Sequence, residues 1–445
     1  MPVTAVGTGS GRPGWDVGFF FLLLLNAVLY IRPGEWILPL QPLHPYEIVI
    51  ATCLILGFPK VIEQFSGRSL SGNPITVCVI GLFAVTVLAD LLRARLETAW
   101  EATDELSKVL IYYLLLVGLT DSPRKVRWVL MTLMGCGVVI LAVAMLHYYG
   151  VVEIPNMNVT VEVNYVDGQD MGVRRLGTTS VLGDPNDCAL FIDHCILICV
   201  YLVLDGGGPA ALRLLWLLPM AFCGFALTLT HSRGGLASLM AGLGAYLIGR
   251  YGRKAVLIAA PLVPVLLVLF GGRQSELDLG EGTGQTRVQL WAEYMGFLRG
   301  NPLVGVGWKT GPQLVEMMAH NSYLQAFGEQ GFLAGTLFVG AYYLAFRSFG
   351  RLVSRGGRPV ADPQLRGLRP CLLAVVVSQI VGMMALSRNF SLPTYTVLGL
   401  TAVYARLAGV DPPLPSGGRL ARHVLTAGVA FVIYMAILIR VTVKF

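Results

Sequence analysis

The chain has 445 residues, of which 55% are hydrophobic and only 13% charged, with mean hydropathy +0.67 and net charge +7. Soluble domains carry about 25% charged residues, so there is no room for a large separate soluble domain. Apolar runs long enough to cross a bilayer, roughly 20 residues each, recur from end to end; the composition predicts an all-α polytopic membrane protein.

In chain order the expected spans are 17–31, 46–59, 74–92, 108–120, 127–147, 186–204, 212–230, 235–250, 254–271, 322–346, 370–387, 392–408 and 423–441, about 12–13 in all. The first lacks an A-x-A-like cleavage site and reads as a retained anchor. With the N-terminus placed inside, the inner loops collect 19 basic and 6 acidic residues, the outer ones 14 and 20. The positive-inside rule therefore favours N-in and C-out. The basic excess lies in short inner loops, mainly 347–369, where topology and anionic headgroups explain it. Nucleic-acid binding would need a coherent basic face with aromatics, which is missing. The eight cysteines show no CxxC and no metal-ligand spacing, and Cys195 and Cys199 read as buried apolar residues.

Two outer segments interrupt the short loops. The first, 148–185, is polar, β-branched and turn-rich, and is expected to pack as irregular structure. The second, about 272–321, is long for a connector, and loops of that length are usually functional. Within it Val288, Leu290, Trp291, Tyr294, Met295 and Leu298 fall near helical spacing, with Gly300 and Pro302 ending the run. This predicts an amphipathic helix at the outer interface, with a second short helix in PQLVEMMAHN. The chain divides accordingly into 1–185 (first helices and first outer loop), 186–346 (a core carrying the long loop) and 347–445 (the last helices).

Several motifs are decoys. GEGTGQT (280–286) is glycine-rich and GNPLVGVGWKT (300–310) nearly spells a P-loop, but Trp308 separates Gly307 from Lys309 and no strand precedes it. Glu276-x-Asp278 and Asp184-x-x-Asp187 are poor metal clamps, so no metal or other cofactor is expected. His44, His147 and His423 lie at membrane edges, and His194 falls within a span as an expected hydrogen-bonded core residue.

Three outer arginines stand in notable places: Arg175 in VRRLGTTS, Arg233 in LTLTHSRGGL and Arg287 at the start of the amphipathic helix. Charge near the bilayer is costly and flags function, and guanidinium matches phosphate bidentately. From physics alone, a snorkelling Arg233 and a solvated Arg287 remain an equal alternative. Gly234 and Gly235 would let the backbone turn tightly and a headgroup approach closely, helix-end amides could add to an anion site, and Ser232 could cap the next helix or contact the same anion. Of the remaining histidines, His231 adjoins Arg233, and His320 stands in AHNSYLQAFGEQG where the long loop re-enters the membrane. An imidazole of unperturbed pKa about 6.5 accepts a proton at neutral pH.

THSRGGL at 230–236, Arg287 followed by LWAEYMGFLRGNPLVGVGW, and AHNSYLQAFGEQGFLAG at 319–335 together resemble the O-antigen ligase and O-antigen polymerase superfamily of bacterial membrane glycosyltransferases. RRLGTTSVLGDPNDCAL (174–190) adds to the resemblance, and RPGEW (32–36) is similar to a subgroup linked to exopolysaccharide and O-glycosylation. What the resemblance implies is an inner-membrane enzyme with its site facing the periplasm. It would move a glycan from an undecaprenyl-pyrophosphate donor to a hydroxyl of a lipid core, glycan or protein. Arg233 and Arg287, with Arg175, would hold the pyrophosphate; His320 would be the base; Ser232, Gly234, Asn186 and Asn321 would line the substrate site. One base without a carboxylate nucleophile implies a single, inverting displacement that needs no metal. A polymerase joining lipid-linked repeat units and a protein O-glycosylating ligase share that donor site. A transporter of lipid-linked sugar would instead call for internal repeats and charges paired inside spans, neither of which the sequence displays.

Overall fold

The computed structural model describes residues 16–154, 156–157, 159–166, 169–179, 182–255, 257, 282–350, 360–410 and 413–442. Its longer helices are α1 (Val17–Ile31), α2 (Pro45–Glu63), α3 (Pro74–Leu92), α4 (Leu96–Leu119) and α5 (Pro123–Tyr148). A hairpin of β1 (Thr160–Val166) and β2 (Gln169–Arg175) follows, then α6 (Pro185–Asp205), α7 (Leu217–Thr230) and α8 (Arg233–Tyr251). After these come α9 (Gly282–Gly300), α10 (Ser322–Arg347), α11 (Pro363–Gly382), α12 (Leu392–Ala408) and α13 (Gly417–Thr442). Apart from α9 these helices fall on the expected spans, and the protein is an all-α polytopic membrane protein. The span expected at 254–271 lies, beyond its first residues, outside the described residues.

Five of the helices, α2, α3, α5, α6 and α11, begin on proline, and α12 has one at its second position. The first turn has no intrahelical acceptor for its N–H groups, so a residue without one starts a helix at no loss. Among the described residues, eight helical stretches are long and apolar enough to cross a membrane. Helices α10 and α12 fall on expected spans without being among these eight, and both bury most of their residues against other helices. The bundle is layered: 83% of the apolar window of α6 and 67% of that of α11 are buried, against 17% for α2 and α13. Helix α8 packs on α6 and α11, and α10 packs on α3, α9 and α13.

The outer segment after α5 is not irregular, as its composition suggested. Residues 160–166 and 169–175 pair antiparallel, from Thr160 opposite Arg175 to Val166 opposite Gln169. β-branched residues favour this extended pairing, and Leu176 N–H donates to Leu229 O (2.8 Å) where β2 meets the end of α7. His194 also departs from expectation: it is buried, but its Nε2 has no hydrogen-bond partner among the described residues. The cysteines are all buried and free, as expected.

The near-P-loop is a structural clamp. Helix α10 breaks at Gly331 (φ +82°), which frees backbone groups that 302–307 satisfy. Val306 N–H donates to Gly328 O (2.9 Å), Gly307 N–H to Glu329 O (2.7 Å), and Phe332 N–H to Pro302 O (2.7 Å). Non-helical backbone at membrane depth persists only when protein satisfies it in this way. On the other side Arg95 donates to Val306 O (2.8 Å) and Arg93 to Asn301 Oδ1 (2.6 Å), so the α3–α4 elbow holds the same segment. A Cβ on Gly331 would stand 2.3 Å from Leu303 O. Gly331→Ala is therefore expected to destabilise the protein by at least the roughly 1–3 kcal/mol of a strained backbone position. Thermal unfolding of the detergent-solubilised protein measures this, and an unchanged midpoint would refute the clamp.

Candidate functional site

The site forms where the ends of β2, α7 and α11 meet the starts of α6, α8, α9 and α10. Helix α7 ends on His231, whose left-handed backbone (φ +49°) reverses the chain, and α8 begins at Arg233. The tight turn thus belongs to His231, not to the glycines after Arg233. Gly234 and Gly235 are helical and serve packing: a Cβ on Gly235 would meet Ala189 Cβ at 2.6 Å, and one on Gly234 would meet Ala385 Cβ at 3.2 Å. Ser232 is fully buried; its Oγ accepts from Gly235 N–H (3.0 Å), capping α8, and donates to Asn186 Oδ1 (2.8 Å).

Arg175 binds the end of α7 to the start of α6. Its Nε donates to Thr230 O (2.9 Å), one terminal nitrogen to Glu162 (2.9 Å) and the other to Asn186 Oδ1 (3.0 Å). A guanidinium has five N–H groups, so two remain. Asn186 is held from both sides, by Arg175 and Ser232, and Asp184 caps its helix by accepting from its backbone N–H (2.7 Å).

Arg287 stands in the first turns of α9, half-buried. The six residues expected to share a face, Val288, Leu290, Trp291, Tyr294, Met295 and Leu298, are all buried, and all but Leu290 cluster with residues of α10 and α13. The second short helix is only Gly311–Val315. Burial and the positive charges of Arg175 and Arg233 push the Arg287 guanidinium below its ordinary value, against the opposing pull of Asp184 and Glu162. Three cations thus lie within electrostatic reach of one another, with Asp184 and Glu162 beside them, and an anion placed there would interact favourably with all three.

His320 (φ +47°) immediately precedes Asn321, the cap of α10. Trp291 Nε1 donates to the neighbouring Ala319 O (3.1 Å), and His320 N–H donates to Ser387 Oγ (2.9 Å), which ties the residue to α9 and to the segment after α11. Burial, then the charges of Arg287 and Arg388, hold its imidazole below the usual value, with Asp184 acting in the opposite sense. Neutral imidazole is therefore favoured, which is the form that accepts a proton. Asn321 is fully buried and its Oδ1 accepts from Tyr323 and Leu324 N–H (3.1 Å each), so its side chain caps α10.

Of the eight residues singled out from sequence, Arg233, Arg287 and His320 stand half-buried around one electrostatic neighbourhood. Arg175, Asn186, Ser232 and Asn321 have their hydrogen-bonding groups engaged, largely or wholly, in holding helix ends together, and Gly234 packs on Ala385. Sequence reasoning missed Arg388. Its Nε lies 2.7 Å from Asp187 Oδ2, and its backbone N–H donates to Ser322 Oγ (2.9 Å). The available signal was the scarcity of outer arginines, which applies to Arg388 as much as to the others. Asp187, dismissed as half of a poor metal clamp, is the buried partner of that arginine.

Residues 218–339 match the family model described as O-antigen ligase, a stretch that contains Arg233, Arg287 and His320. No curated protein matches the chain.

Proposed function

From the match of residues 218–339 to the O-antigen ligase family model, we propose that this chain is a membrane glycosyltransferase that moves a glycan from undecaprenyl pyrophosphate to an acceptor hydroxyl on the periplasmic face of the inner membrane. The observation that carries the reading is the convergence of Arg175, Arg233 and Arg287 beside a histidine kept neutral.

In the proposed reaction the arginines bind the donor's pyrophosphate. His320 removes the proton from the acceptor hydroxyl as its oxygen attacks the anomeric carbon. The bond from that carbon to the phosphate oxygen breaks, the electron pair leaves on pyrophosphate, and configuration inverts. The leaving group needs charge stabilisation more than protonation, which fixed cations in a poorly hydrated site supply. The acceptor hydroxyl is the weak nucleophile and needs the base, whose contribution is typically 10²–10⁴-fold. Arg175 acts mainly by fixing Asn186 and the end of α7, and Arg388 acts on the imidazole from its ion pair with Asp187.

The test is transfer by the purified protein from an undecaprenyl-pyrophosphate glycan to lipid-core, lipid-linked glycan or peptide acceptors, with and without EDTA. Product on a lipid core is expected and is expected to survive EDTA. Product only on a second lipid-linked glycan would make the enzyme a polymerase, and loss with EDTA would sink the metal-free displacement.

The pH dependence follows from His320. A depressed imidazole value keeps the base competent below the ordinary pKa of about 6.5, so transfer is expected to fall only as pH drops through that lowered value. Arg388→Gln removes a positive charge beside the ring and is expected to move the acid limb to higher pH. An acid limb unchanged in this variant would separate His320 from the proton transfer.

A further inference from the structure

A cavity of about 430 Å³ has Arg388 in its wall, next in sequence to Ser387, whose Oγ accepts from the His320 N–H. It is built where the outer ends of α1, α2 and α4 meet Trp308 and the start of α12, with Tyr46, Glu47, Glu105, Lys108, Trp308 and Phe390 in its wall. Arg388 belongs both to this wall and to the charges acting on His320. Arg388 thus connects the cavity wall to the surroundings of His320.

The chemistry of the wall is that of a site for a neutral, hydroxyl-rich ligand. Its charges are largely paired within the protein: Glu105 with Lys309 (2.5 Å), Lys108 with Asp104 (2.9 Å), Arg32 with Glu35 (2.9 Å), and Arg388 with Asp187. With these pairs made, Glu47 is the remaining charged wall residue, so the wall gathers no cluster of cations like that around Arg287. The aromatic rings of Trp308 and Phe390 pack together with centroids 4.7 Å apart, an apolar surface of the kind that sugar C–H faces cover. Two wall residues carry buried donors without a hydrogen-bond partner among the described residues, the Trp308 indole N–H and the Tyr46 hydroxyl. A buried donor left unmade is costly, on the order of 1–3 kcal/mol, and natural structures keep few of them without a functional reason. The volume falls in the ligand-pocket range of roughly 300–1,000 Å³.

We propose that this cavity is the subsite for the acceptor's sugar, which delivers its hydroxyl to His320 from the side opposite the donor pyrophosphate. The proposal rests on the transferase reading and adds to it which surface holds the acceptor. In-line displacement with inversion demands such an arrangement, because nucleophile and leaving group approach the anomeric carbon from opposite faces.

Two measurements on the full chain in detergent test it. In the first, acceptor and donor KM are determined separately for Tyr46→Phe, Glu47→Gln and the cavity-filling Val109→Trp, whose parent side chain lines the wall. Acceptor KM is expected to rise about ten-fold, the effect of removing one or two hydrogen bonds, with donor KM unchanged. A rise in donor KM instead, or no change in either, would overturn the subsite. The second needs no turnover: saturation-transfer NMR with glucose, galactose and N-acetylglucosamine at millimolar concentration. Signals from at least one sugar are expected in the wild type and in Arg233→Ala, and are expected to vanish in Val109→Trp. Absence of signal from all three, or equal signal in Val109→Trp, would overturn it. A wild type that binds sugar here but transfers nothing would refute the transferase reading and leave the sugar site standing.

Discussion

His320→Ala is expected to lower transfer at least a hundred-fold while an undecaprenyl-pyrophosphate donor still binds. The expectation follows from what the residue touches and what it does not. Its backbone is held by Ser387 and its loop by Trp291, so the ring can be removed without unfastening α10, whose cap is Asn321. Loss of a general base typically removes 10²–10⁴ of rate, whereas the proposed function places donor affinity on the arginines. Single-turnover transfer and donor binding by lipid displacement separate the two. Near wild-type turnover would eliminate His320 as base. His231→Ala provides the contrast. His231 closes α7 in a left-handed conformation, so its substitution is expected to perturb the local turn and reduce transfer only mildly. If His231→Ala were instead the inactive variant, the roles assigned to the two histidines would have to be exchanged.

Arg287→Ala and Arg233→Ala are each expected to cost about 10²–10³ in turnover, the range found when a preorganised group facing developing negative charge is removed. Arg287 carries the sharper version of this prediction. Its guanidinium is already disfavoured by burial and by Arg175 and Arg233, so its charge is kept in place at a cost that a bound anion would recover. Donor pyrophosphate should accordingly bind less tightly to Arg287→Ala, and inorganic pyrophosphate should compete with donor in the wild type but only weakly in the variant. Arg287→Lys keeps the charge but loses the planar fork, so it should recover part of the activity and not all of it. Wild-type donor affinity in both alanine variants would refute the phosphate-binding role. Arg175→Ala should behave differently: its nitrogens hold Thr230, Glu162 and Asn186, so thermal stability should fall along with activity.

Much of this was legible before any coordinates. Apolar runs of membrane length are one-dimensional features, and twelve described helices fall on them. The buried face of α9 was legible too, since a period of 3.6 residues states which side chains share a side. Other readings failed for definable reasons. Composition near 160–175 was turn-rich enough to hide a hairpin, because pairing depends on a partner strand and not on either strand alone. The glycines after Arg233 suggested a turn, but backbone freedom is permission and not a requirement. In the fold these glycines let α8 lie against Ala189 and Ala385, while a histidine makes the reversal. The near-P-loop spelling hid a different function of the same glycines, which dock on the break in α10.

Length, hydropathy and charge asymmetry determined by themselves that this is a helical membrane protein, and the order of THSRGG, Arg287 and AHN pointed to a family. These are properties of residue type and spacing, which a chain carries whatever its fold. What only the tertiary structure decided is which polar residues meet. Arg175, Arg233 and Arg287 are separated by more than fifty residues at each step, and Arg388 lies further still along the chain. Their mutual repulsion, and its effect on His320, arises only after the helix ends converge, because electrostatic coupling depends on distance through space and on exclusion of water. The same convergence divided the candidates, leaving Arg233, Arg287 and His320 around one electrostatic neighbourhood and turning Ser232, Asn186 and Asn321 into the fastenings of the surrounding helix ends.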